Sequence, residues 1–245
     1  MERDLYLAED RIAAAHWWFV VRRRLFAREI GMAAPGRRGR VLDVGTGSGS
    51  NLPMLRDLGF AEVAGLDSSP IAVDLCARKG FSEVKCGDVC ALPFPDRHFD
   101  IVLATDIIEH VADDGRALRE IERVVAPGGA AIITVPAFQM LWGAHDSAAH
   151  HLRRYRLADL VRKTEMAGLE VERAYYFNFI LFLPILAVRR LFRWLGLPLK
   201  NENELTGPWL NRVLQAVFGL DVFLARRLYP PFGVSALIVA RKRRL

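Results

Sequence analysis

The middle of the chain alternates short, mostly apolar runs with stretches of helical periodicity. The runs fall at 41–44, 63–66, 84–86, 101–104 and 130–135. Helical patterns near 50–58, 69–79 and 113–125 separate them. Apolar strands divided by helices are typical of a parallel sheet covered on both faces, so this region predicts an α/β fold.

The flanking segments extend this pattern. Residues 10–30 predict one helix, because Trp18, Val21 and Leu25 recur at helical spacing. A helix near 157–167, a strand near 169–176 and a last strand at 234–240 follow the fifth run. Apolar and basic helical sequence lies between the last two strands. We therefore predict one domain over 1–245, with an N-terminal helical extension at 1–35 and a helical insertion at 178–232.

Composition narrows the class of protein. The chain has 245 residues, 52% apolar and 25% charged, so a folded domain is expected. No apolar run reaches about 18 residues, and the acidic start lacks the features of a secretory signal peptide, so neither a transmembrane helix nor secretion is expected. The three cysteines show no paired metal-binding spacing. A reduced, cytoplasmic protein is the simplest interpretation.

The positive charge is concentrated in the last quarter of the chain. From residue 179 onward there are 11 Lys and Arg against 3 Asp and Glu, a net charge of +8. The remaining residues hold 23 against 25, a net charge of −2. Nucleic acid, an anionic membrane surface or an anionic substrate could each explain this distribution.

A glycine-rich segment, VLDVGTGSGS at 41–50, follows the first strand and opens a helix. Glycines at 45, 47 and 49 allow a tight turn and a close approach of the backbone to a ligand. A dinucleotide-binding fingerprint would need glycine at 50, where this chain has Ser50. The acidic Asp43 also disfavours a pyrophosphate and favours a cationic or amine-bearing ligand.

Two further acidic residues end the next strands. Asp67 follows the second apolar run, where a carboxylate suits the two hydroxyls of a ribose. Asp88 follows the third run and could bind an exocyclic adenine amine, with Val89 packing on the ring. Taken singly, an ordinary βα turn and ordinary helix N-caps would explain these residues as well.

Five blocks occurring in order connect the chain to a family. They are VLDVGTGSG, GLD at 65–67, GDV at 87–89, FDIVLATDIIEHV at 99–111 and PGGAAIITVP at 127–136. Together they resemble the class I S-adenosylmethionine-dependent methyltransferases, of the type 11-like kind. The resemblance implies a Rossmann-like, seven-stranded and mostly parallel sheet with a reversed last strand, and S-adenosylmethionine as the cofactor.

The resemblance also implies a set of cofactor-binding residues. The methionine part would lie against the glycine turn, the ribose at Asp67, the adenine at Asp88 and the amino-acid end at Thr105. The full predicted set is Asp43, Gly45, Thr46, Gly47, Gly49, Asp67, Ser68, Asp88, Val89, Thr105 and Asp106.

Histidines cluster where an acceptor would bind. His110 follows the fourth strand, and the segment 145–155 follows the fifth, both at the predicted ligand-binding edge. We predict His145, His151 and Asp146 as the catalytic group, since a neutral imidazole can accept a hydroxyl proton. The segment HDSAAHHLRRY and an N-terminal HWWF resemble a bacterial methyltransferase subgroup that often serves glycan- or lipid-type pathways. Loop anchoring is the alternative role.

A metal site is a further alternative. Asp106, Glu109 and His110, with a distant histidine, are similar to the carboxylate–carboxylate–His site of some small-RNA and quinone-type O-methyltransferases, although those have Glu where this chain has Asp106. Helix capping and packing would explain the same residues. From the sequence we expect no metal.

Residues 179–194 have the composition of an interfacial helix, with an apolar run followed by Arg189, Arg190 and Arg193. The segment could be a substrate lid packed on the sheet, or a lid that also contacts an anionic membrane. Nucleic-acid binding is not expected, because the aromatic residues follow helical spacing and form no stacking platform.

These observations lead to one predicted function. We expect methyl transfer to an oxygen of a hydrophobic or lipid-linked small molecule, such as a sugar or a quinone-like ring, in the cytoplasm or at the inner face of a membrane. An RNA methyltransferase and a non-catalytic cofactor-binding subunit that docks a partner through its insertion are the alternatives.

Overall fold

A computed structural model describes residues 3–36, 39–195 and 207–244. Seven strands form one sheet in the order β3-β2-β1-β4-β5-β7-β6. The strands are β1 (Arg40–Val44), β2 (Glu62–Asp67), β3 (Val84–Cys86), β4 (Phe99–Thr105), β5 (Val125–Pro136), β6 (Glu170–Phe177) and β7 (Ser235–Arg241). The described helices are α1 (Arg3–Ala13), α2 (Trp17–Ala33), α3 (Leu52–Asp57), α4 (Pro70–Arg78), α5 (Asp114–Val124), α6 (Ala144–Ala148), α7 (Leu157–Met166), α8 (Phe182–Trp194) and α9 (Pro208–Leu228).

The sheet has the predicted topology. Strands β1 to β5 are parallel, whereas β7 runs antiparallel between β5 and β6. The seven-stranded Rossmann-like fold with a reversed last strand is therefore confirmed. Because β1 to β5 are parallel, their carboxyl ends meet at one edge of the sheet, and ligands of open α/β sheets bind outside that edge.

Side chains alternate between the two faces of the sheet, as the twofold period of a strand requires. On one face Leu42 and Val102 pack with α5 and α7. On the other face Val41 and Ile101 pack with α2 and α9. The central strands are thus buried on both sides, which explains their almost unbroken apolar runs.

The N-terminal segment differs from the prediction of one helix over 10–30. Two helices, α1 and α2, meet at His16, whose backbone is extended and whose ring accepts a hydrogen bond from the Trp18 amide. This N-cap starts a new helix. Trp18 then stacks on Phe218 of α9, with ring centroids 5.2 Å apart, so α2 docks on a helix almost 200 residues away.

Helices α8 and α9 lie between β6 and β7, where we predict the insertion; its residues 196–206 fall outside the described part of the chain. Asp221 of α9 accepts hydrogen bonds from the backbone amides of Asn178 and Ile180, which fixes the insertion to the end of β6. Among the described helices, none is long and apolar enough to cross a membrane.

From the sequence, Arg189, Arg190 and Arg193 could all reach lipid headgroups, but the two of them whose side chains are described differ in exposure. Arg189 is buried and donates a hydrogen bond to the backbone oxygen of Leu141, whereas Arg190 is exposed. The side chain of Arg193 lies outside the described residues. Arg189 is therefore a packing contact between α8 and the loop after β5.

Candidate active site

The turn after β1 leaves open space beside its middle glycine. Gly45 and Gly47 both have positive φ angles, +73° and +57°, which favour glycine. A side chain on Gly45 would collide with Ile107, whereas a Cβ on Gly47 would meet no described atom within 4 Å outside residues 46–48. The turn is thus closed towards the protein at Gly45 and open at Gly47.

Asp43 lies under this turn as a buried carboxylate without a hydrogen-bond donor. Its side chain is fully buried, and neither oxygen accepts a hydrogen bond within the described residues. Burial raises the pKa of Asp43 to about 7, although the neighbouring Asn51 side chain partly opposes the shift. A cationic group placed over the turn would satisfy this carboxylate, so the site fits the charge of a sulfonium cofactor with an ammonium group.

The carboxylate of Asp67, at the end of β2, already accepts hydrogen bonds from protein groups. Its carboxylate accepts hydrogen bonds from the backbone amides of Gly47 (2.8 Å) and Ser69 (2.9 Å). It also accepts one from the phenol of Tyr6, at 3.0 Å. Tyr6 comes from α1 and is buried, so a helix of the N-terminal extension supplies a hydroxyl where we expect a ribose hydroxyl. No motif in the sequence indicates Tyr6 as a residue of the site.

The other predicted cofactor residues divide into two groups. Thr46 and Val89 are buried: the Thr46 hydroxyl donates to the Asp43 carbonyl oxygen, and Val89 packs in the core. Ser68 and Asp88 are exposed, and Asp88 accepts a hydrogen bond from the Cys90 amide. The side chains of Ser68 and Asp88 are therefore more accessible to a ligand than those of Thr46 and Val89.

Asp106, directly after Thr105 at the end of β4, forms an ion pair with Arg22 of α2. The two side chains approach to 2.5 Å, and the hydroxyl of Thr134 donates a second hydrogen bond to Asp106 at 3.2 Å. Arg22 is buried and lies over the rings of Trp18 and Phe26. No sequence motif indicates Arg22, because only the packing of α2 on the sheet brings it to this edge.

The three predicted catalytic residues lie together. The imidazole Nδ1 of His151 is 2.8 Å from a carboxylate oxygen of Asp146, and the rings of His145 and His151 have centroids 5.8 Å apart. Arg154 also donates two hydrogen bonds to Asp146. Burial acts to raise the pKa of Asp146, but hydrogen bonds from His151 and Arg154 outweigh it and hold the pKa below its usual range. Asp146 is therefore a fixed anion that orients His151.

Glu109 and His110 lie on the other side of His151. Glu109 is fully buried, and burial raises its pKa well above the usual range, with a further contribution from Asp106. Burial lowers the pKa of His110 to about 4, and His151 adds to this effect. Glu109, His110 and His151 come together, whereas Asp106, which the sequence suggested as a partner of Glu109 and His110, is paired with Arg22.

Comparisons with known proteins bear on the class of protein to which the chain is similar. Residues 42–133 match a family described as a methyltransferase domain. A Mycolicibacterium smegmatis protein named probable S-adenosylmethionine-dependent methyltransferase is 29% identical over 164 residues, 66% of this chain and 62% of the relative. The malonyl-[acyl-carrier protein] O-methyltransferase of Pseudescherichia vulneris is 36% identical over 46% of this chain and 48% of its own length. The chain thus spans about half to three fifths of these relatives.

A solved structure is similar over nearly the whole chain. A chain from the complex between the Haloferax volcanii Trm112 methyltransferase activator and a methyltransferase superposes with a TM-score of 0.64 and 24% identity, covering 99% of this chain and 96% of that one. This likeness concerns the fold alone. These comparisons support the predicted resemblance to class I S-adenosylmethionine-dependent methyltransferases, with S-adenosylmethionine as the cofactor.

Proposed function

We propose that this protein transfers the methyl group of S-adenosylmethionine to an oxygen of a hydrophobic or lipid-linked small molecule. The observation that carries the proposal is the buried carboxylate of Asp43, which has no hydrogen-bond donor and lies beneath the open turn at Gly47. This site lies at the same edge of the sheet as the histidine cluster, so cofactor and acceptor can be held side by side.

The cofactor would bind across the carboxyl ends of β1 to β4. Asp43 would face its cationic end beside Gly45, Gly47 and Gly49, and Asp67 would bind the ribose after Tyr6 gives way. Asp88 and Val89 would border the adenine, with Ser68 near the ribose. Thr105 and Asp106 would border the amino-acid end, with Thr46 supporting the turn from below.

S-adenosylmethionine supplies an electrophilic methyl group on a sulfonium. As the acceptor oxygen bonds to that methyl carbon, the hydroxyl proton must leave. The nitrogens of His151 face Asp146 and Glu109, at 2.8 Å and 4.0 Å. His145, partly exposed beside His151, is therefore the histidine that we assign to the proton, with His151 and Asp146 as positioning residues.

The exposed face of α8 supports a lipid-linked acceptor. The large apolar residues exposed on it recur at helical spacing and are Leu183, Val188, Leu191 and Trp194, and the exposed Leu195 follows directly after the helix. Arg190 is exposed beside them. A short apolar stripe with a neighbouring cation suits the interface of an anionic bilayer, where a basic residue is stabilised by about 1 kcal/mol. We infer reversible contact with the anionic inner face of a membrane, with the acceptor presented from that surface.

Two experiments test this proposal. The protein is incubated with methyl-labelled S-adenosylmethionine and a host membrane extract, and the label is partitioned between organic and aqueous phases. We expect label in the organic phase, suppressed by S-adenosylhomocysteine. Label only in RNA would favour the RNA methyltransferase, and binding of cofactor without transfer to any extract would favour a non-catalytic subunit.

Flotation with vesicles tests the membrane contact. The wild type should float with anionic vesicles and much less with neutral ones, and the variant Leu191→Glu/Trp194→Glu should not float. Met166→Glu is the control, because Met166 is an apolar residue on α7 that is more exposed than Leu191 and nearly as exposed as Trp194, and its substitution should not affect flotation. Failure of the wild type to float with anionic vesicles would leave α8 as a substrate lid.

A further inference from the structure

Glu109 is a buried carboxyl group whose side chain has no hydrogen-bond partner among the described residues. It follows β4, is 0% exposed, and neither of its side-chain oxygens makes a hydrogen bond within the described residues. A buried carboxyl needs a donor when ionised and an acceptor when protonated, so leaving it without either is costly. A bound cation would interact favourably with both oxygens.

Two imidazoles face this carboxyl group. Nε2 of His151 lies 4.0 Å from a Glu109 oxygen, and the rings of His110 and His151 have centroids 4.6 Å apart. One ligand atom from each of the three residues lies within 4.8 Å of the others. Ligands on one tetrahedral Zn²⁺ lie about 3.3 Å apart, so small side-chain rotations would bring all three onto one ion.

The groups that contact the other nitrogen of each imidazole are of the kind that orient metal-binding histidines. His151 Nδ1 is 2.8 Å from the Asp146 carboxylate, and the ring of His110 interacts with the backbone of Ala149. Carboxylates and carbonyl oxygens in these positions fix the ring orientation of a ligating histidine and leave its second nitrogen for the metal. The backbone amide of Leu152 also donates to the Glu109 carbonyl oxygen at 2.8 Å, which ties the two ligand segments together.

We propose that Glu109, His110 and His151 bind a divalent cation of the zinc class. Two imidazoles and one carboxylate suit Zn²⁺, whereas Mg²⁺ and Ca²⁺ prefer sites made of oxygen atoms alone. Asp106 is excluded as a ligand because Arg22 and Thr134 occupy it. This site departs from our expectation, based on sequence, of no metal.

Three protein ligands leave one position of a tetrahedral zinc site open. His110 is partly exposed whereas the ring of His151 is only 7% exposed, so we place the open position on the His110 side of the site, towards the acceptor region. The role of the ion rests on the proposed function: the acceptor hydroxyl would take the open position, where the ion orients it and makes its proton easier to lose. That proton still goes to His145, which is not a ligand.

Calorimetry on the full chain, stripped with EDTA, tests the site with Zn²⁺ alone. The wild type should bind one equivalent of Zn²⁺, and Mg²⁺ should not compete. The variants Glu109→Gln and His151→Ala should bind about 100-fold more weakly or worse, and Asp146→Asn about 10-fold to 100-fold more weakly. His150→Asn is the matched control: it removes an exposed histidine from the same loop at a positive φ angle that asparagine tolerates, and should leave binding unchanged.

Cofactor binding by the same variants separates loss of the site from loss of the fold. Glu109→Gln is nearly isosteric, so it should retain S-adenosylhomocysteine binding while losing Zn²⁺. Absence of Zn²⁺ binding by the wild type would overturn the proposal and indicate an ordered water at Glu109. Equal loss of Zn²⁺ by His150→Asn and His151→Ala would also overturn it. Neither result depends on methyl transfer, so the zinc site can be refuted without refuting the proposed function.

Discussion

The variant Asp43→Asn tests whether the buried carboxylate beneath the glycine turn is held for a cationic ligand. Asparagine keeps the size of the side chain and removes its charge and its titration. In the free protein, burial raises the pKa of Asp43 from an ordinary value of 3.8 to about 7. Folding therefore favours the protonated form of this residue in the absence of ligand.

The sign of the pH effect follows from this shift. A carboxyl group with a raised pKa contributes its full stability below its unfolded pKa, and that contribution is lost as the pH rises through the folded pKa. A shift of about 3 units corresponds to about 4 kcal/mol over the full range. Between pH 5 and pH 8 the wild type should lose about 2 to 3 kcal/mol of unfolding free energy that Asp43→Asn retains.

Urea unfolding of both proteins at pH 5 and pH 8 measures this difference. A bound cofactor should reverse the preference, because a cation over the turn stabilises the ionised carboxylate. The affinity of the wild type for S-adenosylmethionine should therefore be up to about 100-fold higher at pH 8 than at pH 5, whereas that of Asp43→Asn should be weak and nearly constant. The same pH dependence of unfolding in both proteins would refute the reasoning.

Three other variants test single contacts of the site. Tyr6→Phe should raise cofactor affinity about fivefold, since the ribose hydroxyls no longer displace a phenol from Asp67; unchanged or weaker affinity in calorimetry would show that Tyr6 is not displaced. Gly47→Ala should cost about 1 kcal/mol in urea unfolding, because of its positive φ angle, and should weaken cofactor binding at least about tenfold by filling the open space; normal affinity would place the cofactor elsewhere. His145→Ala should lower the rate of label transfer about 100-fold with unchanged cofactor affinity, and a normal rate would remove His145 as the proton acceptor.

The sheet could be predicted from sequence because its central strands are buried on both faces. Residues 101–104, for example, are completely buried in β4, and an unbroken apolar run is the direct signature of such a strand. The break between α1 and α2 could not be predicted in this way. It depends on the N-cap at His16 and on the stacking of Trp18 on Phe218, which is a contact between distant parts of the chain.

The candidate active site shows the same contrast between residues that a local sequence pattern identifies and residues that only tertiary packing reveals. Asp43, Asp67 and Asp88 could be identified because each ends a recognisable strand, and a parallel sheet brings those ends together. Tyr6 and Arg22 reach the site from helices α1 and α2, so only tertiary packing reveals them. Because Arg22 pairs with Asp106, the proposed metal ligands are Glu109, His110 and His151 and do not include Asp106.

The measurement that tests the central claim most directly is calorimetric titration of the purified chain with S-adenosylmethionine and, separately, with NAD. The glycine turn, with Ser50 in place of a third fingerprint glycine and with Asp43 beneath it, predicts binding of one equivalent of S-adenosylmethionine and none of NAD. Asp67→Asn should weaken that binding by at least about tenfold, because a carboxylate that accepts two ribose hydrogen bonds is lost. Tight binding of NAD, or no heat of binding with S-adenosylmethionine, would contradict the account.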